Sequence, residues 1–494
     1  MPVPPVPSLI VVTNPDRWPF QIPGVEVVAA RAYLTDPRYT ELRHARIYNL
    51  CRSYRYQSVG YYVSLLAEAR GHRPQPSLAT IQDFKSPVVT RILSEEIDEL
   101  IQKSLAGIKG DAFTLSIYFA RNLARTYDRL AQQLFNQFQA PLLRAHFARR
   151  EGRWELTDIA PIPASEIPES HRPFVTEVAR EFCSGRRPAR PRKAPPRYHL
   201  ALLHEAGEAH PPSNARAIQK FIDAAEAFDI DAEIVTRDDY GRLAEFDALF
   251  IRCTTAVNHF TFRFANRAEA EGLVVIDDST SILRCTNKVY LAELLARHEL
   301  LAPKTIIVHR DNLDEVCAQL GFPIILKQPD SAFSQGVTKV KSREEFDAQA
   351  EKLFEDTELL VAQEFIATDF DWRIGVLDRK PLYACKYFMA RKHWQIIAKA
   401  ADGDTDYGRV EAVPLDRVPA HVVRSAVRAA SLIGDGLYGV DLKQVGRAAY
   451  IIEVNDNPSI DAGYEDGLLK DTLYERIMEH FVRRLERQKD RRGP

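Results

Sequence analysis

Gly439-Val440-Asp441-Leu442-Lys443, followed by Ile451-Ile452-Glu453-Val454-Asn455-Asp456-Asn457-Pro458-Ser459, is the stretch whose reading decides the fold. Both pieces have the apolar content of strands, and both carry hard oxygen ligands. Glu453 and Asn455 are two apart, so on a strand they face the same way. Asp441 joins them if Gly446 turns the chain back as a hairpin. Two carboxylates and an amide carbonyl make an oxygen-only set, suited to Mg²⁺ shared with substrate phosphates. The alternative is a strand edge decorated with solvated acids. It fits poorly, because Val440, Leu442, Ile451, Ile452 and Val454 have the character of buried residues interrupted by the acids.

Working outward, the 494 residues are enough for about three domains. Hydrophobic residues make up 45% and charged residues 27%, as in an ordinary globular protein. A formal net charge of −2 argues against a dedicated nucleic-acid binder. No run of about 18 apolar residues occurs, so no membrane span is expected. Met-Pro-Val-Pro-Pro-Val-Pro at the N-terminus lacks the charged and apolar regions of a signal peptide. Cys51, Cys183, Cys253, Cys285, Cys317 and Cys385 are scattered, as expected of reduced thiols in the cytoplasm rather than a disulfide framework or zinc site.

The clearest boundary is Ser184 to Arg197, where prolines alternate with like charges; this reads as an extended, solvated linker. Beyond it, strands and helices alternate. Tyr198 to His204, Ala232 to Thr236, Ala248 to Arg252 and Leu273 to Ile276 are strands. Ser213 or Asn214 caps a helix to about Phe228. This alternation predicts a small parallel α/β domain over 198–285. From 286 to 490 the text is α+β, opening with a helix capped by Thr286 or Asn287. It closes with a helix over 470–489 whose Leu473, Ile477, Phe481 and Leu485 form a core stripe. Residues 1–183 form a separate α/β domain, with helical text dominant from 40 to 145. Within it, Asn49 to Tyr62 is dense in Arg and Tyr, which suits either anion or ring binding or a buried polar interface.

Other residues suggest a nucleotide. Lys327 ends the strand Ile324-Ile325-Leu326 and precedes a polar loop through Gln335 and Gly336, whose N–H groups could close over phosphates. Lys288 stands at a helix start. Gln363-Glu364-Phe365-Ile366 ends an apolar strand that could offer backbone groups to an adenine edge, and Asp371 could hold ribose hydroxyls. Lys386 and Arg391, with Lys392 and His393, cluster near Tyr387, Phe388 and Trp394 and could neutralise a transferring phosphoryl group. Singly, each of these reads more readily as surface decoration than as a site.

In order, Lys288, Lys327, the polar loop, the hinge, Asp371-x-Arg373, the basic strand, Asp441 and Glu453-x-Asn455 resemble the ATP-grasp superfamily. The likeness is to RimK-type ligases and glutathione synthetase, over roughly 200 to 485. It implies an ATP-grasp fold preceded by a small parallel α/β domain. Residues 1–183 resemble the extra N-terminal domain of some RimK-like proteins. The resemblance implies Lys288, Lys327, Gln335 and Gly336 at the ATP phosphates, and Gln363, Glu364, Phe365 and Ile366 at the adenine. It also implies Asp371 at the ribose, and two Mg²⁺ (or Mn²⁺) on Asp441, Glu453 and Asn455. Arg373 with Lys386 or Arg391 would face the phosphoryl group, and Arg252, Asn457 and Ser459 would lie near the acceptor. Two features depart from the family: no Arg-x-Asn stands near Gln395-Ile396-Ile397, and the phosphate loop is poorer in glycine.

The implied chemistry is amide formation. A carboxylate attacks the γ-phosphate of ATP, and an amine then displaces phosphate from the acyl phosphate. Its partners would be an amino acid, a peptide or a protein terminus, and the family commonly forms homo-oligomers. Rival readings are a kinase on the same scaffold and a nucleotide-binding regulatory module.

Overall fold

The computed structural model describes residues 7–20, 22, 25–42, 45–184, 196–330, 336–389, 397–399 and 405–491. The chain divides into two compact units. One comprises residues 1–195 with 238–244, the other 196–237 with 245–494.

The first unit holds two sheets. Strands β1 (Ser8–Val12), β2 (Glu26–Ala29), β3 (Arg46–Asn49) and β4 (Arg73–Gln75) lie parallel in the order β2-β1-β3-β4. Ile10, Val12, Tyr48 and Leu50 face one core, while Leu9, Val11, Ile47 and Cys51 face another. A parallel strand buried on both faces shows no alternation, so β3 is hidden in text that reads as helix. Strands β5 (Ala112–Tyr118), β6 (Leu142–Arg150) and β7 (Arg153–Pro161) form an antiparallel sheet. Helix still dominates from 40 to 145, as the text reads, with β3, β4, β5 and the start of β6 set among the helices. Leu115, Ile117, Leu143, Ala145 and Phe147 alternate with polar residues and pack into one core with Leu130, Leu134 and Phe135 of helix Asp128–Gln137.

The second unit opens with β8 (Tyr198–Leu203), β9 (Ile230–Val235), β10 (Ala248–Ile251) and β11 (Val274–Ile276), all parallel in the order β11-β10-β8-β9. Asn214 caps helix Ala215–Ala227 by accepting the Ala217 N–H. Next come β12 (Thr305–Val308), β13 (Ile324–Lys327), β14 (Val337–Val340) and β15 (Leu360–Glu364), antiparallel in the order β12-β15-β13-β14.

A five-stranded antiparallel sheet follows, ordered β20-β17-β16-β21-β22. Its strands are β16 (Phe370–Leu377), β17 (Lys380–Phe388), β20 (Val410–Ala412), β21 (Leu437–Val445) and β22 (Ala448–Asp456). Between β17 and β20 lies the small pair β18 (Ile397–Lys399) and β19 (Thr405–Tyr407). One face of the large sheet packs Trp372, Ile374, Val440, Leu442 and Val454 against helix Ala420–Ile433. The final helix, Asp471–Arg491, buries Leu473, Tyr474, Ile477, Phe481 and Leu485 in a core shared with Phe221, Phe250 and Leu437. Each fully buried side chain of this kind contributes about 1.5–3 kcal/mol, so this core joins the parallel sheet to the antiparallel one. No described helix is long and apolar enough to cross a membrane.

Candidate functional site

Strand alternation assembles the site. Asp441 lies directly across from Glu453, and Gly439 from Asn455. Gly446 makes the turn between the two strands at φ +59°, a left-handed conformation that costs glycine little. Arg373 on β16 lies across from Asp441. Asp371, Arg373, Asp441, Glu453 and Asn455 therefore share one face, while the apolar residues between them take the other.

Arg373 and Asp441 form a two-bond fork: Nε donates to Oδ1 and Nη2 to Oδ2, the latter at 2.8 Å. Asn455 Nδ2 also donates to Asp441 Oδ2, at 3.1 Å. Burial works against the Arg373 charge, but Asp441 prevails and holds the guanidinium pKa well above its ordinary value. The Asp441 carboxyl is pushed up by burial while Arg373 pulls it down. The Arg373 guanidinium also lies 4.9 Å from the centre of the Tyr387 ring.

The lysines reach this face from elsewhere. Asn287 caps helix Lys288–Arg297, and its Nδ2 donates to Asp330 Oδ1 at 3.0 Å. The Lys288 N–H donates to the Pro329 carbonyl at 2.9 Å. These bonds dock the helix start on the loop that follows Lys327, and Lys288 Nζ stands 3.6 Å from Glu453 Oε1. Lys327 is buried, and desolvation lowers its pKa to about 8, with Lys288 and Lys443 adding repulsion against the pull of Glu453 and Asp371. Gly336, at φ +69°, returns the loop so that its carbonyl accepts the Gln328 N–H. Gln335 and Arg391 lie outside the described residues.

At the end of β15 the side chains are already engaged. Gln363 Nε2 donates to Thr305 Oγ1, and the Glu364 carboxylate accepts the Lys304 N–H at 2.7 Å. Lys339 Nζ sits over the Phe365 ring. Strand pairing stops at Glu364, and the backbone of Ile366 makes no hydrogen bond among the described residues. Asp371 Oδ1 accepts from Lys443 Nζ at 2.6 Å and from Thr368 Oγ1 at 3.1 Å.

Two placements depart from the sequence reading. Lys386 lies across from Trp372, on the opposite face from Arg373, with its ammonium 4.7 Å from the Phe370 ring centre and 5.2 Å from that of Trp372. A single step along β17 makes this difference, because adjacent residues point to opposite faces. Arg252 is fully buried. Its guanidinium donates to Ser213 Oγ, Asn457 Oδ1 and the carbonyls of Pro212 and Pro458. Burial lowers its pKa to about 10. Asn457, at φ +46°, also donates through Nδ2 to the Cys253 carbonyl. Arg252 and Asn457 thus hold the segment 457–459 in place, and the Ser459 carbonyl accepts from Tyr383 Oη at 3.3 Å.

Two residues were missed. Lys443 is two positions beyond Asp441 and so shares its face, a signal present in the opening stretch. Asp277, buried just past β11, accepts the N–H groups of Leu437 and Asn457, where the chain enters and leaves the β21–β22 hairpin at its open end. Burial raises its pKa to about 8.

Among the described residues, no three His, Cys, Asp or Glu side chains come together as a metal cluster. The set here is two carboxylates and an amide, oxygen donors that fit a hard divalent ion completing its shell with phosphate oxygens.

The chain is similar to several known proteins. Residues 30–178 match the RimK-like ATPgrasp N-terminal domain, and residues 295–462 match the D-ala D-ala ligase C-terminus. A probable alpha-L-glutamate ligase of Vibrio vulnificus is 26% identical over 256 residues, covering 50% of this chain and 82% of the relative. The alpha-aminoadipate–LysW ligase LysX of Saccharolobus solfataricus is 28% identical over 203 residues, covering 38% of this chain and 68% of the relative. Among solved structures, a RimK domain ATP-grasp protein of Sphaerobacter thermophilus aligns with a TM-score of 0.44 at 17% identity, over 57% of this chain and 98% of that one.

Proposed function

We propose that this chain, which matches the RimK-like ATPgrasp N-terminal domain over 30–178 and the D-ala D-ala ligase C-terminus over 295–462, is an ATP-dependent carboxylate–amine ligase acting on an amino acid or peptide. The observation that carries this reading is the single face where Asp441, Glu453 and Asn455 meet Arg373, Lys288 and Lys327.

Lys288, Lys327 and the Gly336 backbone hold the ATP phosphates. The backbone of Phe365 and Ile366, just past the paired end of β15, meets the adenine edge. Gln363 and Glu364 brace that edge through Thr305 and Lys304. Asp371 Oδ1 is occupied by Lys443 and Thr368, which leaves Oδ2 for a ribose hydroxyl. Asp441, Glu453 and Asn455 would hold two Mg²⁺, for which Mn²⁺ could substitute, and the metal would supply Lewis-acid stabilisation of phosphate charge. Arg373 stabilises charge on the phosphoryl group as the substrate carboxylate attacks it. An amine then attacks the acyl carbon, and phosphate leaves. Arg252 acts on this reaction by holding 457–459, not by touching substrate. Glutamate and α-aminoadipate, named in the relatives, both carry a side-chain carboxylate, so an acidic amino acid is the first substrate to try.

The test is ADP and phosphate release with Mg-ATP against amino acids and short peptides, singly and in pairs, with mass spectrometry of the mixtures. The ligase reading expects turnover that needs two organic substrates and a product lighter than their sum by one water. A product made heavier by a phosphoryl group, from one substrate alone, would replace this reading with a kinase.

A further inference from the structure

Every carboxylate on the site's face already holds a cation. Arg373 forks onto Asp441, Lys288 stands 3.6 Å from Glu453, and Lys443 lies 2.6 Å from Asp371. Asn455 turns its Nδ2, not its oxygen, toward Asp441. Lys327 is the exception: it is buried, with no ion pair among the described residues. Of the cations that would bind phosphate, Arg373 and Lys288 are thus the counter-ions of the groups that would bind metal.

A divalent ion needs oxygen donors. To take Asp441 it must displace Arg373, and the Asn455 amide must turn over. The side chains of Arg373 and Asp441 are each only 11% exposed. A free metal ion arriving alone would strip Arg373 of its counter-ion and set two further positive charges beside it, where water screens little. A metal–triphosphate complex brings both replacements together. Its metal takes the carboxylates, and its phosphate oxygens take the guanidinium and ammonium groups, with the Arg fork matching phosphate as well as it matches carboxylate.

Resting on the ligase reading above, we propose that Arg373 makes this site select the metal–triphosphate complex over the free divalent ion, through an exchange of partners at Asp441. Arg373 then stays locked until metal and nucleotide are both present, and the residue facing the phosphoryl group is released only when there is a phosphoryl group to face.

The test is a Mn²⁺ titration of the full chain followed by electron paramagnetic resonance, with and without a non-hydrolysable ATP analogue. Wild type should bind Mn²⁺ far more tightly with the analogue than without it. Arg373→Gln should raise the affinity for free Mn²⁺ by about tenfold or more, the scale of one close unit charge in a poorly screened site. Arg373→Lys keeps the charge and should stay close to wild type; circular dichroism checks that both variants fold. Equal free-Mn²⁺ affinity in wild type and Arg373→Gln would overturn the exchange while leaving the ligase reading standing. Failure of wild type to bind Mn²⁺ even with the analogue would remove the metal assignment, and the exchange with it.

Discussion

Lys327 shows how burial sets chemistry at one residue. Its pKa, lowered to about 8, lies close to working pH, unlike that of a solvated lysine. The protonated form attracts phosphate, so ATP binding should weaken as pH rises through about 8. Binding measured from pH 6.5 to 9.5 should show this in wild type, while Lys327→Arg, which stays charged, should show a flat profile. An unchanged slope in the arginine variant would assign the titration elsewhere. Asp441 supports a second prediction. Asp441→Asn should lower turnover by about a hundredfold or more. It should also cost about 3 kcal/mol of stability, because Arg373 is left buried without its counter-ion. Adding Arg373→Gln should recover much of the stability in urea unfolding and none of the turnover.

The β21–β22 hairpin is the element that carries the proposed metal set, and two of its glycines have separate jobs. Gly446 occupies the left-handed turn position, and a Cβ there would meet nothing within 4 Å. Gly446→Val should therefore cost about 1–2 kcal/mol of backbone strain and leave the site's chemistry intact. A Cβ on Gly439 would lie 2.7 Å from Pro458 Cβ and 3.0 Å from Arg373 Cδ. Gly439→Ala should accordingly reduce turnover more than Gly446→Val does, because it displaces Arg373. Comparing kcat with urea midpoints for both variants checks this; equal losses of activity would show that the Gly439 contact does not matter. The hairpin was legible in sequence because two apolar runs flank a glycine. Its alternation also put Asp441, Glu453 and Asn455 on one face. Along β17 the same period-2 rule separates Lys386 from Arg373.

At the scale of the whole molecule, the final helix and a buried carboxylate hold the second unit together. Phe481 is fully buried, with its ring 5.4 Å from that of Phe250. Phe481→Ala should cost about 3–5 kcal/mol, read by thermal or urea unfolding. Burial raises Asp277 to about 8 and Asp456 to about 7, both above their unfolded value of 3.8. Groups raised in this way stabilise the fold fully below the unfolded pKa, and that stability is lost as pH climbs through the folded pKa. Melting temperature should therefore fall from about pH 4 to about pH 8 and level off above it. Asp277→Asn, which cannot ionise, should flatten part of that fall; an identical slope would place the titration in other groups.

Taken alone, the chain's text determined the parallel α/β part, the hairpin and the order of the site residues, because apolar periodicity and strand alternation are local properties. It did not reveal that β3 and β5 are strands within helical text, since a strand buried on both faces, or one read in a long helical window, loses its signature. Nor did it show that Arg252 and Asn457 are buried in a knot of hydrogen bonds, or that Asp277 fastens both strands of the hairpin at its open end. Those contacts join residues about 160 to 206 positions apart. Only the packed tertiary structure decides whether such a polar group meets water, substrate or another part of the chain, because desolvation, not residue type, sets what each charge must pair with.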